Sequence, residues 1–87
     1  MIRKHIRFYG RVQGVGFRYR AYHKARSLGL TGWVRNEYDG SVEMEVQGKR
    51  EAIAELIRFL DAQMFIVIER MDERVIPVIE ERDFYQE

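Results

Sequence analysis

Three features of the chain combine residue type and spacing suited to chemistry. The first is the run Gln13-Gly14-Val15-Gly16-Phe17. Glycines two positions apart allow positive φ without a Cβ clash, and successive N–H groups can then converge into a concave anion nest. The second is Arg18, which follows at once. If a helix starts near Phe17, Arg18 stands in its first turn, where the dipole disfavours a cation by a few tenths to about 1 kcal/mol. A bound phosphate reverses that sign, and a guanidinium can grip two of its oxygens together. The third is Asn36, the only asparagine in the chain. Its carboxamide can hold a water through both its oxygen and its NH2. Asn is also a common hairpin-turn residue, so a purely structural role stands beside the chemical one.

Alone, a Gly-x-Gly run can equally be a plain strand-to-helix turn. It is not the dinucleotide fingerprint, because Tyr19 occupies the place of the third glycine, and no Gly-Lys-Ser/Thr follows to make a phosphate loop of the Walker type.

Elements must hold these residues in place. Ile2, Ile6, Phe8 and Val12 share one parity while Arg3, His5, Arg7, Tyr9 and Arg11 take the other, which predicts a strand with one face on the core. Phe17, Ala21, Ala25 and Leu28 form one stripe of a helix that Gly29 can end. Thr31 to Asn36 reads as a second strand, with Trp33 and Val34 on opposite faces, and Asp39-Gly40 is a hairpin signal. Val42, Met44 and Val46 alternate with Glu43, Glu45 and Gln47 in a third strand. Ile53, Leu56, Ile57 and Leu60 mark a second amphipathic helix. Met71 to Ile76 is expected to be a strand ended by Pro77, and Asp83 to Glu87 a short terminal one. The apolar run Met64 to Ile68 reads as strand or core, with a partner-binding patch as the alternative. The order is β-α-β-β-α-β with room for a short extra edge strand. It predicts an α+β, ferredoxin-like two-layer sandwich with a mainly antiparallel sheet and two helices.

Composition narrows the function. Eighty-seven residues suit one domain, residues 1–87, and leave no room for two cores. The absence of cysteine excludes a disulfide scaffold, a thiolate metal site and a cysteine nucleophile, and agrees with a reducing, cytoplasmic setting. No apolar run is long enough to span a bilayer, and the N-terminus lacks the apolar region of a signal peptide. No metal site is expected, since His5 and His23 fall on different elements. The net charge of +1 conceals a division. Residues 1–36 carry nine basic side chains and no Asp or Glu, whereas residues 37–87 carry six basic and fourteen acidic ones, a balance of −8. The two parts can pair across the fold as salt bridges, or the first can build an anion site.

Taken together, Arg11-Val-Gln-Gly-Val-Gly-Phe-Arg18 and Gly29-Leu-Thr-Gly-Trp-Val-Arg-Asn36 resemble the acylphosphatases. The likeness continues through Asp39-Gly40-Ser-Val-Glu-Met-Glu into Gly48 and the second helix, covers most of residues 5–60, and fades after about Ala62. It implies the same ferredoxin-like sandwich and hydrolysis of acyl phosphates to carboxylate and inorganic phosphate. By motif match, it implies Arg18 as the phosphate-binding arginine and Asn36 as the residue that positions water. It also implies that the amides of Gln13, Gly14, Val15, Gly16 and Phe17 contact the phosphoryl oxygens.

Such a site needs little else. The leaving carboxylate is the base of an acid with a pKa of about 4, so no general acid is required at neutral pH. Phosphoryl transfer depends chiefly on positioning and charge stabilisation. No metal or cofactor is called for, and the expected partners are a small anionic acyl phosphate and inorganic phosphate as product and competing ligand. Tyr9 and Tyr19 are candidates to flank the acyl group or simply surface residues; Arg20 and Arg35 are candidates to steer substrate or simply exposed charges. His23 reads as part of a solvated helix face. The alternative function is a phosphoanion-binding or regulatory module without turnover. Nucleic-acid binding is disfavoured because Ser41 to Gly48 carries none of the stacking aromatics that RNA-recognition sheets place on central strands. No membrane partner is expected.

Overall fold

The computed structural model describes residues Met1–Glu87. The chain runs β1 (Ile2–Arg11), α1 (Phe17–Ser27), β2 (Thr31–Asn36), β3 (Val42–Gly48), α2 (Arg50–Asp61), β4 (Val67–Ile76) and β5 (Phe84–Gln86). The five strands form one sheet in the order β4-β1-β3-β2-β5. Every pairing is antiparallel except β2 with β5. This is the expected ferredoxin-like sandwich, with β5 as the short edge strand.

Alternation in the sequence becomes two distinct sheet faces. Ile6 and Phe8 of β1 lie opposite Met44 and Val42 of β3 in register, and Val34 of β2 lies opposite Met44. These side chains join Phe17, Ala21 and Ala25 of α1 and Ile53, Leu56 and Leu60 of α2 in one core of sixteen buried residues. Their burial follows from period two on the strands and a one-sided stripe on each helix. Helix α1 ends as anticipated: Leu30 N–H donates to the Ala25 carbonyl at 2.9 Å and Gly29 N–H to Arg26 at 3.1 Å, a Schellman arrangement around Gly29.

The opposite face is covered by charge and by the 77–83 segment. Arg3 should face solvent by strand parity, yet it is only 1% exposed. It donates to Glu45 at 3.0 Å and Glu81 at 2.7 Å. Beside it the Gln47 side chain exchanges two hydrogen bonds with the main chain of Ile79. The segment crosses this face because it must link β4, at one sheet edge, to β5 at the other.

Two expectations about the second half need correction. Strand β4 begins at Val67, four residues before Met71, and pairs with nearly all of β1 through Arg11↔Val67, with a bulge at Tyr9/Gly10. Its side chains are largely exposed, so hydrophobic alternation is a weak signal there; main-chain pairing with the ten-residue β1 sets its length. The Met64–Ile68 run divides accordingly. Ile66 is buried, Val67 and Ile68 enter β4, and Met64 and Phe65 are exposed.

Strand directions set where the chemistry-bearing residues meet. Both β1 and β2 run antiparallel to β3, which lies between them, and therefore run parallel to each other. The end of β1, with the loop that follows, and the end of β2 at Asn36 thus share one edge of the sandwich. Strand β5, parallel to β2, brings Gln86 to the same edge.

Candidate active site

The loop between β1 and α1 is shaped by its glycines and anchored by its ends. Gly14 and Gly16 have φ of 73° and 79°, a left-handed conformation that a side chain would resist. At Gly16 an added Cβ would also run into the Arg20 guanidinium. On the inner side, the Phe17 ring packs against Phe8 of β1 with centroids 4.9 Å apart, pinning the helix start to the sheet. The first helical bond is from Arg20 N–H to the Gly16 carbonyl, at 3.0 Å. No side chain caps the helix, and its first turn holds no acidic residue. As a result, none of the main-chain N–H groups from Gln13 through Tyr19 donates to an acceptor in the protein. Such a row of free donors at a helix N-terminus favours an anion.

A hollow of about 200 Å³ opens over this loop, lined by Val12, Gly14, Gly16, Phe17, Arg18, Tyr19, Asn36 and Gln86. It brings Arg18, Asn36 and the loop glycines together although Arg18 and Asn36 belong to different elements. Of the predicted loop residues, Gln13 and Val15 do not line the hollow with the others.

Gln13 has a different role in the architecture. Its side-chain amide Nε2 donates to the carbonyls of Glu37 at 2.8 Å and Ser41 at 2.9 Å. Those carbonyls belong to the β2–β3 turn immediately after Asn36, which is itself closed by Glu37 N–H to Ser41 at 2.8 Å. One side chain thereby fastens the loop to the hairpin. The sequence contained Gln13 within the motif but no spacing rule linking it to residues 24 and 28 positions away.

Arg18 approaches the hollow with Nη1 donating to the main-chain oxygen of Glu87 at 2.6 Å. Glu87 is placed by its own N–H, which donates to Val34 of β2 at 2.9 Å. A guanidinium has five N–H donors, so this bond orients Arg18 without exhausting it.

Most basic residues of the first 36 are paired with acidic side chains, whereas Arg18, with Arg11 and Arg20, is not, and its recorded contact is the main-chain oxygen of the last residue, Glu87. Arg3, Lys4, Arg7, Lys24, Arg26 and Arg35 each pair with an acidic side chain of the later segment, and His5 Nε2 lies 2.5 Å from Glu43. The charge division is therefore used largely in pairing across the fold. Arg11, Arg18 and Arg20 form no ion pair with an acidic side chain; Arg20 instead donates to Gln63 at 3.0 Å. Arg35 is held by Glu37 at 2.7 Å and Glu43 at 3.0 Å and does not line the hollow. Burial pushes the Glu43 carboxyl up, but hydrogen bonds led by His5 and including Arg35 outweigh it and bring its pKa down to about 2.

The two tyrosines part company. Tyr9 lies on the sheet face opposite the helices with the Arg70 guanidinium 4.0 Å from its ring centroid, whereas Tyr19 lines the hollow. His23 is exposed, between the rings of Tyr19 and Tyr22. No cluster of three or more His, Cys, Asp or Glu side chains is placed to hold a metal ion. No helix is long and apolar enough to cross a membrane.

Fold and site define a ferredoxin-like α+β sandwich in which an amide-lined loop, a guanidinium and a carboxamide meet at one edge. Comparison with known proteins makes the assignment specific. The acylphosphatase family model matches residues 4–86, and the chain belongs to the acylphosphatase family. The matched span extends past Ala62 to residue 86. The chain is 48% identical over 71 residues to an acylphosphatase of Caldanaerobacter subterraneus subsp. tengcongensis, covering 80% of this chain and 79% of that protein. It is 46% identical over 84 residues to one of Geobacillus thermodenitrificans, covering 95% and 83%. The crystal structure of acylphosphatase from Bacillus subtilis superposes with a TM-score of 0.90 at 31% identity, covering 99% of this chain and 98% of that one.

Proposed function

We propose that the hollow between the 13–17 loop and the end of β2 is where this family member hydrolyses acyl phosphates, and that Arg18, Asn36 and the loop amides divide the work. The phosphoryl group sits on the main-chain N–H groups of Gln13, Gly14, Val15, Gly16 and Phe17. Arg18 supplies the positive charge and a planar fork for two of its oxygens. Asn36 holds a water by its carboxamide, in line with the leaving carboxylate oxygen. Water attacks phosphorus, the P–O bond to the acyl group breaks, and the bond's electron pair leaves on the carboxylate. The proton lost by the water passes to solvent or to the phosphate product. The amides and guanidinium meet the charge spread over the phosphoryl oxygens, as fixed donors do in phosphoryl transfer.

The observation that carries this reading is the shared lining of one hollow by Arg18, Asn36, Gly14 and Gly16, with the N–H groups of 13–19 free of protein acceptors. The absence of acidic side chains from that lining agrees with an anionic substrate. A phosphate-release assay with acetyl and benzoyl phosphate, on the wild-type chain and Arg18→Ala, tests it. Turnover by the wild type and its near-complete loss in the variant are expected. Phosphate binding by the wild type without turnover would instead establish a non-catalytic phosphoanion module.

A further inference from the structure

We propose that Tyr19 sets the acyl specificity of this site and that its ring favours substrates with a planar, aromatic acyl group. The inference rests on the reading that the phosphoryl group occupies the hollow beside Arg18. Three residues with sizeable apolar side chains line that hollow: Val12, Phe17 and Tyr19. Val12 and Phe17 are 1% and 2% exposed and are committed to the core, whereas Tyr19 is 60% exposed. Tyr19 is therefore the lining residue with accessible apolar surface to offer an acyl group.

Its position gives the acyl group a direction. A second, shallower hollow runs along α1 and α2, lined by Tyr19, Arg20, His23, Lys24, Ser27 and Phe59. Tyr19 is the one residue common to both hollows. A substrate whose phosphate rests on the loop can extend its acyl part across this ring into the second hollow. The ring is braced for that use. It packs edge-on against His23 with centroids 4.4 Å apart and an interplanar angle of 62°, and His23 in turn packs against Tyr22 at 5.0 Å. A ring held by a neighbour loses less freedom when a ligand stacks on it. The Tyr19 hydroxyl takes part in none of the side-chain hydrogen bonds of this region, so the contact offered is the ring itself. Stacked aromatic pairs gain more than an acetyl methyl can on the same surface.

The test compares kcat/KM for benzoyl and acetyl phosphate in the wild type, Tyr19→Ala and Tyr19→Phe, with the inhibition constant of inorganic phosphate measured in each. In Tyr19→Ala the benzoyl phosphate value is expected to fall about fivefold, the range of one aromatic contact, while acetyl phosphate changes less than about twofold. Tyr19→Phe is expected to match the wild type, and inhibition by phosphate to stay unchanged in both variants. An unchanged benzoyl-to-acetyl ratio in Tyr19→Ala, or a Tyr19→Phe variant as impaired as the alanine, overturns the assignment. Arg18→Ala in the same assays keeps the two readings apart. If that variant hydrolyses both substrates at the wild-type rate, the phosphate site is misplaced; if it is inactive, an unchanged ratio counts against Tyr19 alone.

Discussion

Gln13 holds Ser41: the amide Nε2 of the first donates to the main-chain carbonyl of the second at 2.9 Å, and its other proton goes to Glu37 at 2.8 Å. This joins the anion-binding side of the proposed site to the turn that follows Asn36. The two carbonyls keep other partners, since Gly40 N–H donates to Glu37 and Glu37 N–H to Ser41. Removing the Gln13 side chain therefore orphans neither.

For that reason Gln13→Ala should alter geometry more than stability. We expect a loss of about 1 kcal/mol per hydrogen bond at most. The larger effect should be a fall in kcat of about tenfold, as expected when a positioning contact is lost, with KM close to the wild-type value. Gln13→Glu should in addition raise the inhibition constant of inorganic phosphate, because it sets an anion beside the loop. Steady-state kinetics with thermal melts separates the two effects; a fall in melting temperature with kcat intact would show that the clamp is structural only.

Arg18→Ala should lose both phosphate inhibition and turnover, by about 10²-fold or more, because no other side chain lining the hollow is cationic. Arg18→Lys should recover little, since an ammonium cannot present two parallel donors. Competition by phosphate and sulfate against acetyl phosphate measures this directly. Inhibition that persists unchanged in the alanine variant would remove Arg18 from the site.

Asn36→Ala should reduce kcat by about 10²-fold, the usual cost of losing a preorganised polar group, while phosphate inhibition stays near normal. Asn36 is exposed at the end of β2, so the fold should tolerate the change. Equal collapse of phosphate binding would place the residue on the phosphate and not on the water.

Acid should expose the Glu43 network on the opposite sheet face. Its folded pKa of about 2 lies below the ordinary glutamate value of 4.5, so its stabilising effect is present above pH 4.5 and is lost as pH falls from there towards 2. Chemical denaturation across that window should show a drop in wild-type stability that is shallower in Glu43→Gln. Parallel pH profiles for the two proteins would contradict the depressed value.

Local signals were sufficient for much of this molecule. Period-two alternation fixed the inner faces of β1 and β3, the Phe17-Ala21-Ala25 stripe fixed α1, and the two glycines marked a loop that needs left-handed backbone. Each of these depends on neighbours in the chain, where backbone sterics and side-chain direction act. Strand β4 was only half legible because its side chains are mostly exposed, and its length is imposed by pairing with β1. Arg3 shows the same limit. Its parity on the strand was right, but its burial depends on the 77–83 segment crossing from one sheet edge to the other. The site divides along this line too. Residue types alone nominated Arg18, Asn36 and the loop amides. Only the parallel course of β1 and β2 on either side of β3 brings Arg18, Asn36 and the loop glycines to one hollow, and only long-range contacts reveal the Gln13 clamp and the accessible Tyr19 ring. Chemistry resides in side chains and is written locally, whereas juxtaposition is a property of strand order and direction, which no short stretch of sequence encodes.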